Sequence, residues 1–363
     1  MKDDFLTTQI ITYLGNKRSF LDDIEQVVID IKKELGQDKI SIGDLFSGSG
    51  IVSRCLKRHA NLLITNDLEY YAYILNECYL SEPNDEEQKQ IKKWYNYIIS
   101  NINIDKQDGF VYNMYAPKDI NNIKEGERCF YTPRNAKYID SARELIGDVP
   151  NNLQKYFIAP LLTEASIKTN TSGVFKGFYK NKTTGIGQFG GTGKNALSRI
   201  TNDIQLPYPI FSYDNCKVVN YNEDIFNIID KLPRLDVIYL DPPYNQHPYG
   251  SNYFMLNLIA KNTPPEECSK VSGIPKDWNR SVFNIKKDSL NAMTNLCQRL
   301  KTKYLIISFS DDGFITKQEM LDILSKIGEV KIVEKKYNTF RGSRNLNERS
   351  IYVKEFLYIV KKG

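Results

Sequence analysis

With 363 residues the chain is long enough for a sizeable core and for two domains, or for one domain carrying a large insertion. A formal charge of +5 permits nucleic-acid binding without requiring it, no apolar run reaches membrane-spanning length, and residues 1–12 lack the basic flank and apolar centre of a secretory leader, so a cytoplasmic protein is expected. Six cysteines without a CxxC pair and two isolated histidines argue against a metal site or a disulfide framework.

Thr12-Tyr13-Leu14-Gly15-Asn16-Lys17 precedes an amphipathic run from Ser19 to Leu35, whose apolar positions suit one face of a helix with Ser19 as a cap. Ile40 to Asp44 then reads as a strand running into the turn Leu45-Phe46-Ser47-Gly48-Ser49-Gly50, followed by a helix from Ile51 to Arg58. Gly48 and Gly50 let the backbone turn sharply and approach a ligand closely. Leu62 to Thr65 is a second strand ending at Asn66-Asp67, where a carboxylate is placed to accept both hydroxyls of a ribose. Dinucleotide and S-adenosylmethionine sites share this order of strand, glycine turn, helix, strand and acid. Ser53 stands where a dinucleotide fingerprint wants Gly or Ala, and the Asp44 carboxylate disfavours a pyrophosphate while suiting a cationic sulfonium and amino group.

Residues 81–92 are polar and acidic, a plausible boundary, and helices are expected over 91–102, from Thr132-Pro133 to Leu145, and over 152–165. From Ile167 to Arg199 there are five lysines and one arginine with no acid, interleaved with Phe175, Phe178, Tyr179 and Phe189. The glycine-rich stretch 185–195 fails the phosphate-loop pattern at Gln188 and Asn195, which excludes a nucleoside triphosphatase of that type. A flexible basic loop that orders on a phosphate backbone is expected instead, with Lys168, Asn170, Lys176, Lys180, Lys182 and Lys194 as unranked candidates for DNA contact.

Val218 to Tyr221 leads to Asp224 and Phe226, again a strand ending at an acid before a helix. Asp236 to Leu240 is a short buried strand, and Asp241-Pro242-Pro243-Tyr244 follows, the prolines forbidding its continuation. A carboxylate at a strand's carboxyl end faces the crevice of an open α/β sheet. The set suits methyl transfer to the exocyclic amine of a planar base. The amine lone pair is delocalised into the ring until acceptors hold its hydrogens. Asp241 and the Pro242 carbonyl supply two acceptors, while Tyr244 offers a stacking face worth roughly 1–3 kcal/mol. Tyr249 and Tyr253, on the following loop and helix, are further candidates for stacking. Lys303 to Phe309 is a strand, 316–327 a helix, and 330–335 with 351–360 a closing antiparallel pair around the polar loop 337–349.

TYLGNK, DLFSGSG, the strand end at Asp67 and DPPY, in that order, resemble the amino-methyltransferases of bacterial and phage DNA, specifically the Dam-like alpha group that acts on adenine N6. The resemblance covers the first eighty and the last hundred and fifty residues or so. It implies an α/β, Rossmann-like S-adenosylmethionine-dependent methyltransferase fold with an inserted, mainly helical target recognition domain. The catalytic domain would comprise residues 1–80 and 215–363, and the recognition domain residues 81–214. Tyr13, Lys17, Asp44, Phe46, Ser47, Gly48, Gly50, Asp67, Asp224 and Phe226 would meet the cofactor, S-adenosylmethionine. Asp241, Pro242, Pro243 and Tyr244 would be catalytic, with Tyr337 beside the target base and Arg341 and Arg344 on phosphates. The implied partner is double-stranded DNA, approached by a monomer, with a cognate restriction endonuclease where the enzyme serves a restriction-modification system. Asp at the head of the tetrad favours adenine over N4 of cytosine. RNA adenine and an inactive DNA-binding module are the remaining alternatives.

Overall fold

The computed structural model describes Phe5 and residues 8–194, 196–338 and 352–363. Seven strands form one sheet: β1 (Ile40–Asp44), β2 (Ala60–Asn66), β3 (Lys217–Tyr221), β4 (Leu235–Leu240), β5 (Thr302–Ser310), β6 (Gly328–Asn338) and β7 (Tyr352–Lys362). Their spatial order is β3-β2-β1-β4-β5-β7-β6. β1 to β5 run parallel, and β7 is antiparallel to both β5 and β6. The central strands are nearly continuous apolar runs because helices cover both faces. This is the Rossmann-like α/β arrangement expected from the sequence.

Chain order reverses between β1 and β4, whose ends lie side by side, Asp44 paired with Tyr239. A crevice opens at the carboxyl ends of strands at such a reversal, so topology alone brings the adjacent strand ends carrying Asp44 and Asp241 to one cleft.

Helix α1 (Leu21–Leu35) buries Leu21, Ile24, Val28 and Ile31 against the sheet. Ser19 does not cap it, because Arg18–Phe20 forms a 3-10 turn that leads in and no side chain caps either piece. After β2 comes α2 (Tyr70–Tyr79), and then the long excursion before β3. There α3 (Asp85–Asn101) starts at a capping box between Asn84 and Glu87, earlier than its apolar positions alone suggest. Next come α4 (Phe110–Tyr115), α5 (Pro133–Gly147), which Thr132 caps, and α6 (Asn151–Ile167).

The apolar core of residues 81–214 is continuous with that of the flanking helices. Helix α6 packs on α2 and on α7 (Phe254–Lys261), and one apolar cluster runs through all of them. Buried Arg143 of α5 crosses the same boundary, donating to the Ile259 and Ala260 carbonyls at the end of α7.

The basic, glycine-rich segment is pinned rather than loose. Asn170 is fully buried, donates to the Cys129 and Gln188 carbonyls and accepts from the Gly190 N–H. Its amide is thereby occupied, which removes it from the candidates for base contact. Lys180 and Gly187 face each other across a small hairpin that exposes Lys180 and Lys182.

Candidate active site

A cleft open to solvent lies at the carboxyl ends of β1, β2 and β4, with about 690 Å³ of empty space including its mouth. Tyr13, Phe46, Asp67, Asp224, Asp241 and Pro243 line it, which gathers residues from five separate stretches of sequence. Its wall also carries Glu69 and Glu223 and, among the described residues, neither lysine nor arginine. Five carboxylates around aromatic faces suit a cationic ligand with a planar ring and repel a diphosphate.

Asp44 lies just beneath, 1 % exposed. Ser53 Oγ donates to its Oδ2 at 2.5 Å, while its Oδ1 is buried with no partner among the described residues. Burial drives the Asp44 carboxyl up to about 7. An orphaned acceptor of this kind calls for a donor such as an ammonium group. Asp67 accepts from the Gly48 and Glu69 N–H groups, both at 2.8 Å, and burial raises it to about 6 against these two bonds. Gly48 and Gly50 both hold left-handed conformations, at φ 51° and 74°. A Cβ on Gly48 would come within 2.8 Å of the Tyr13 ring, so glycine lets loop and ring close on each other. These features fit S-adenosylmethionine, with Asp44 and Asp67 as acceptors for its polar groups and Tyr13, Phe46 and Phe283 as its apolar walls.

Tyr13 stacks on Tyr249 and on Tyr253, each at 5.0 Å between ring centres. Tyr249 donates to the Leu14 carbonyl, and the Leu14 N–H donates to the Tyr253 hydroxyl. The first motif is thereby clamped to the helix that follows the tetrad.

Lys17 is placed differently from a simple cofactor contact. It is 3 % exposed, and its Nζ sits 3.0 Å from Asp241 Oδ1, 2.7 Å from Glu355 Oε1 and 2.9 Å from the Gly15 carbonyl. Burial alone would lower the Lys17 ammonium, but Asp241 and Glu355 together hold it well above its usual range. Asp241 moves up to about 7, through burial first, with Lys17 pulling down and Glu355 pushing up.

A model of the D12 class N6 adenine-specific DNA methyltransferases matches residues 13–323, most of the chain. The chain belongs to that family. Over 361 residues it is 26% identical to the type II methyltransferase M.NlaIII of Neisseria lactamica, covering 97% of this chain and 99% of that protein. It is 28% identical to M.CviAII of Paramecium bursaria Chlorella virus 1, covering 96% and 98%. M.FokI of Planomicrobium okeanokoites is also 28% identical, but the chain spans 52% of that longer protein. The reaction is adenine-N6 methylation of DNA, and the methyl donor is S-adenosylmethionine.

In this D12 methyltransferase several expected positions support the cleft from outside. The Ser47 N–H and hydroxyl both bond the Asn66 carbonyl, tying the loop to β2. Asp224 lines the cleft and also caps the short helix Ile225–Ile228 by accepting from the Phe226 N–H. Phe226, expected against the cofactor's ring, is set behind it: it stacks on Phe283, and Phe283 lines the cleft. Tyr244 meets Phe309 edge-on, and burial raises its phenol to about 12. Tyr337 pairs with Val353 in the β6–β7 ladder, while Arg341 and Arg344 lie outside the described residues.

Three contributors were absent from the sequence reading. Asn279 to Asn284 form one wall of the cleft from a segment without a motif. Glu69 is buried, and its carboxylate accepts from Asn257 and Asn279. Glu355 sits in a largely apolar strand, and a lone acid between Lys354 and Phe356 was the signal it left.

Proposed function

We propose that this enzyme methylates an adenine within one short DNA sequence, with the target base turned out of the duplex into the mouth of the cleft. Flipping follows from geometry, since a paired and stacked amine cannot reach into a cleft lined by Asp241 and Pro243. The observation that carries the reading is Asp241 at the end of β4, facing the acid-lined cleft with the Lys17 ammonium 3.0 Å from its Oδ1.

When bound, the cofactor supplies an electrophilic methyl group on a sulfonium. Asp241 Oδ2 and the Pro242 carbonyl each accept one hydrogen of the target amine, which localises its lone pair toward the methyl. Tyr244 stacks on the base and fixes its plane. Asp44 and Asp67 hold the cofactor's polar ends, and Tyr13 covers it. A proton must leave the amine once it carries the methyl, and ionised Asp241 is the nearest acceptor.

Residues 81–214 serve as the target recognition region. The Phe175 N–H donates to the Asn252 carbonyl beside the catalytic loop, so the basic segment starts next to the site. Lys168, Lys176, Lys180, Lys182 and Lys194 contact phosphates or bases there, with Tyr337 assigned to the target base and Arg341 and Arg344, outside the described residues, to phosphates. The cofactor motifs precede this region and the tetrad follows it, which supports placement in the Dam-like alpha group. The enzyme acts as a monomer in the cytoplasm, paired with a cognate restriction endonuclease, a reading to which the type II names of its relatives lend support for the pairing alone. Among the described residues no helix is long and apolar enough to cross a membrane.

The test is transfer from labelled S-adenosylmethionine to mixed-sequence duplex DNA, with the modified positions mapped. Label confined to adenines in one motif supports the proposal. Label scattered over unrelated sequences, or found in single strands only, contradicts it.

A further inference from the structure

Glu355 lies on β7, far in sequence from every motif of the site, yet it touches the ammonium that touches the catalytic carboxylate. Its Oε1 accepts from Lys17 at 2.7 Å and from Ser308 Oγ at 2.6 Å. Glu355, Ser308 and Lys17 are all at most 3 % exposed. The β5–β7 register sets Glu355 opposite Ser310, and so within reach of Ser308 two residues back on the same face. An ammonium has three hydrogens, and here three acceptors surround it: Asp241, Glu355 and the Gly15 carbonyl.

We infer that Glu355 is a positioning residue for methyl transfer, which shares the Lys17 ammonium so that it steadies one oxygen of Asp241 without claiming the whole carboxylate. The inference rests on the reading that Asp241 orients the target amine. Lys17 has a flexible four-carbon stem and one strong partner at the cleft. With Asp241 alone it would swing fully onto that carboxylate and compete with the amine for it. Glu355, fixed by Ser308, holds Lys17 from behind. A buried ion pair of purely structural purpose would not need its second acid to sit behind a reacting group.

Among the described residues, the charged and titratable groups facing Asp241 are Lys17 from the first motif, Glu355 from β7, Asp44 from β1, Tyr239 from β4, and Tyr244 and Tyr249 from the segment after the tetrad. Glu355→Gln changes one of these charges and nearly preserves shape. Lys17 then acts on Asp241 unopposed, so the carboxyl titrates lower. In the cofactor-free enzyme, carbon-13 titration of Asp241, assigned with Asp241→Asn, should move down by about one pH unit. The acid limb of the single-turnover methylation rate should move with it, and the plateau rate should fall about tenfold. Affinities for cofactor and DNA should stay within about twofold. Ser308→Ala, which only frees Glu355, should shift the titration and the rate in the same directions by less, and it carries the test if the Gln variant does not fold.

A titration and plateau rate that stay in place while only thermal stability falls would overturn the inference, as would a loss confined to cofactor affinity. A wild-type enzyme that leaves adenine unmodified overturns the reading beneath it, and the wild-type arm alone distinguishes that failure.

Discussion

The cleft and the helical excursion are built on opposite terms. At the carboxyl ends of β1, β2 and β4, burial raises Asp44, Asp67 and Asp241 above the usual carboxylate range, and Asp44 keeps one oxygen without a partner. The excursion is held by apolar and aromatic packing, with Phe130, Phe175 and Phe254 in mutual contact, while Lys180 and Lys182 stand in solvent. Changes in the cleft should therefore alter chemistry with little effect on DNA affinity, and changes to the exposed lysines should do the reverse.

The largest expected effect that sharpens this contrast is Lys17→Met. It leaves two buried carboxylates without their shared cation, so the Asp241 carboxyl rises above its value of about 7 and the acid limb of the rate profile moves up. Transfer at neutral pH should fall on the order of a hundredfold, a loss that rising pH partly restores in a stopped single-turnover assay. The direction is opposite to that for Glu355→Gln. Tyr244→Ala should lower kcat/KM for DNA by about 10- to 100-fold, from the loss of base stacking worth roughly 1–3 kcal/mol, with cofactor affinity unchanged by calorimetry.

Next in size comes the double change Lys180→Ala with Lys182→Ala. DNA affinity should drop several-fold and the slope of log affinity against log salt should shrink by about 2, while the single-turnover rate at saturating DNA holds. A slope that stays put would remove these lysines from the phosphate-contact set. The smallest effect is on stability. The folded Asp44 carboxyl lies near 7, above its unfolded value of about 3.9, so its contribution is complete below about pH 4 and is lost as pH rises through 7. Asp44→Asn escapes that loss. Its melting temperature should exceed wild type by about 2–4 °C at pH 8 and match it near pH 4, with weakened cofactor binding.

The parallel strands were legible because double burial writes them as apolar runs, and the site acids because each closes such a run. Asp44, Asp67 and Asp241 all stand at strand ends, where periodicity stops. Phe226 shows the limit: a ring beside an acid was visible, but which of two stacked rings meets the cleft depends on Phe283, brought in by packing over a distance of 57 positions in the chain. Glu355 and Asn279 are harder still, since their roles arise from strand register and loop docking. Asn170 looked like a base reader because amides read bases, yet an amide equally well anchors a glycine-rich segment. Burial decided between these, and burial of a loop residue leaves no period in the sequence.

The most direct test of the whole account is Asp241→Ala, with methyl transfer to DNA, cofactor affinity and DNA affinity measured on the same preparation. The expected result is a fall in transfer of at least about a thousandfold, with both affinities within a few-fold of wild type. Transfer at near wild-type rate, or a loss explained entirely by failure to bind DNA, would contradict the role given to Asp241 and the separation of chemistry from binding built on it.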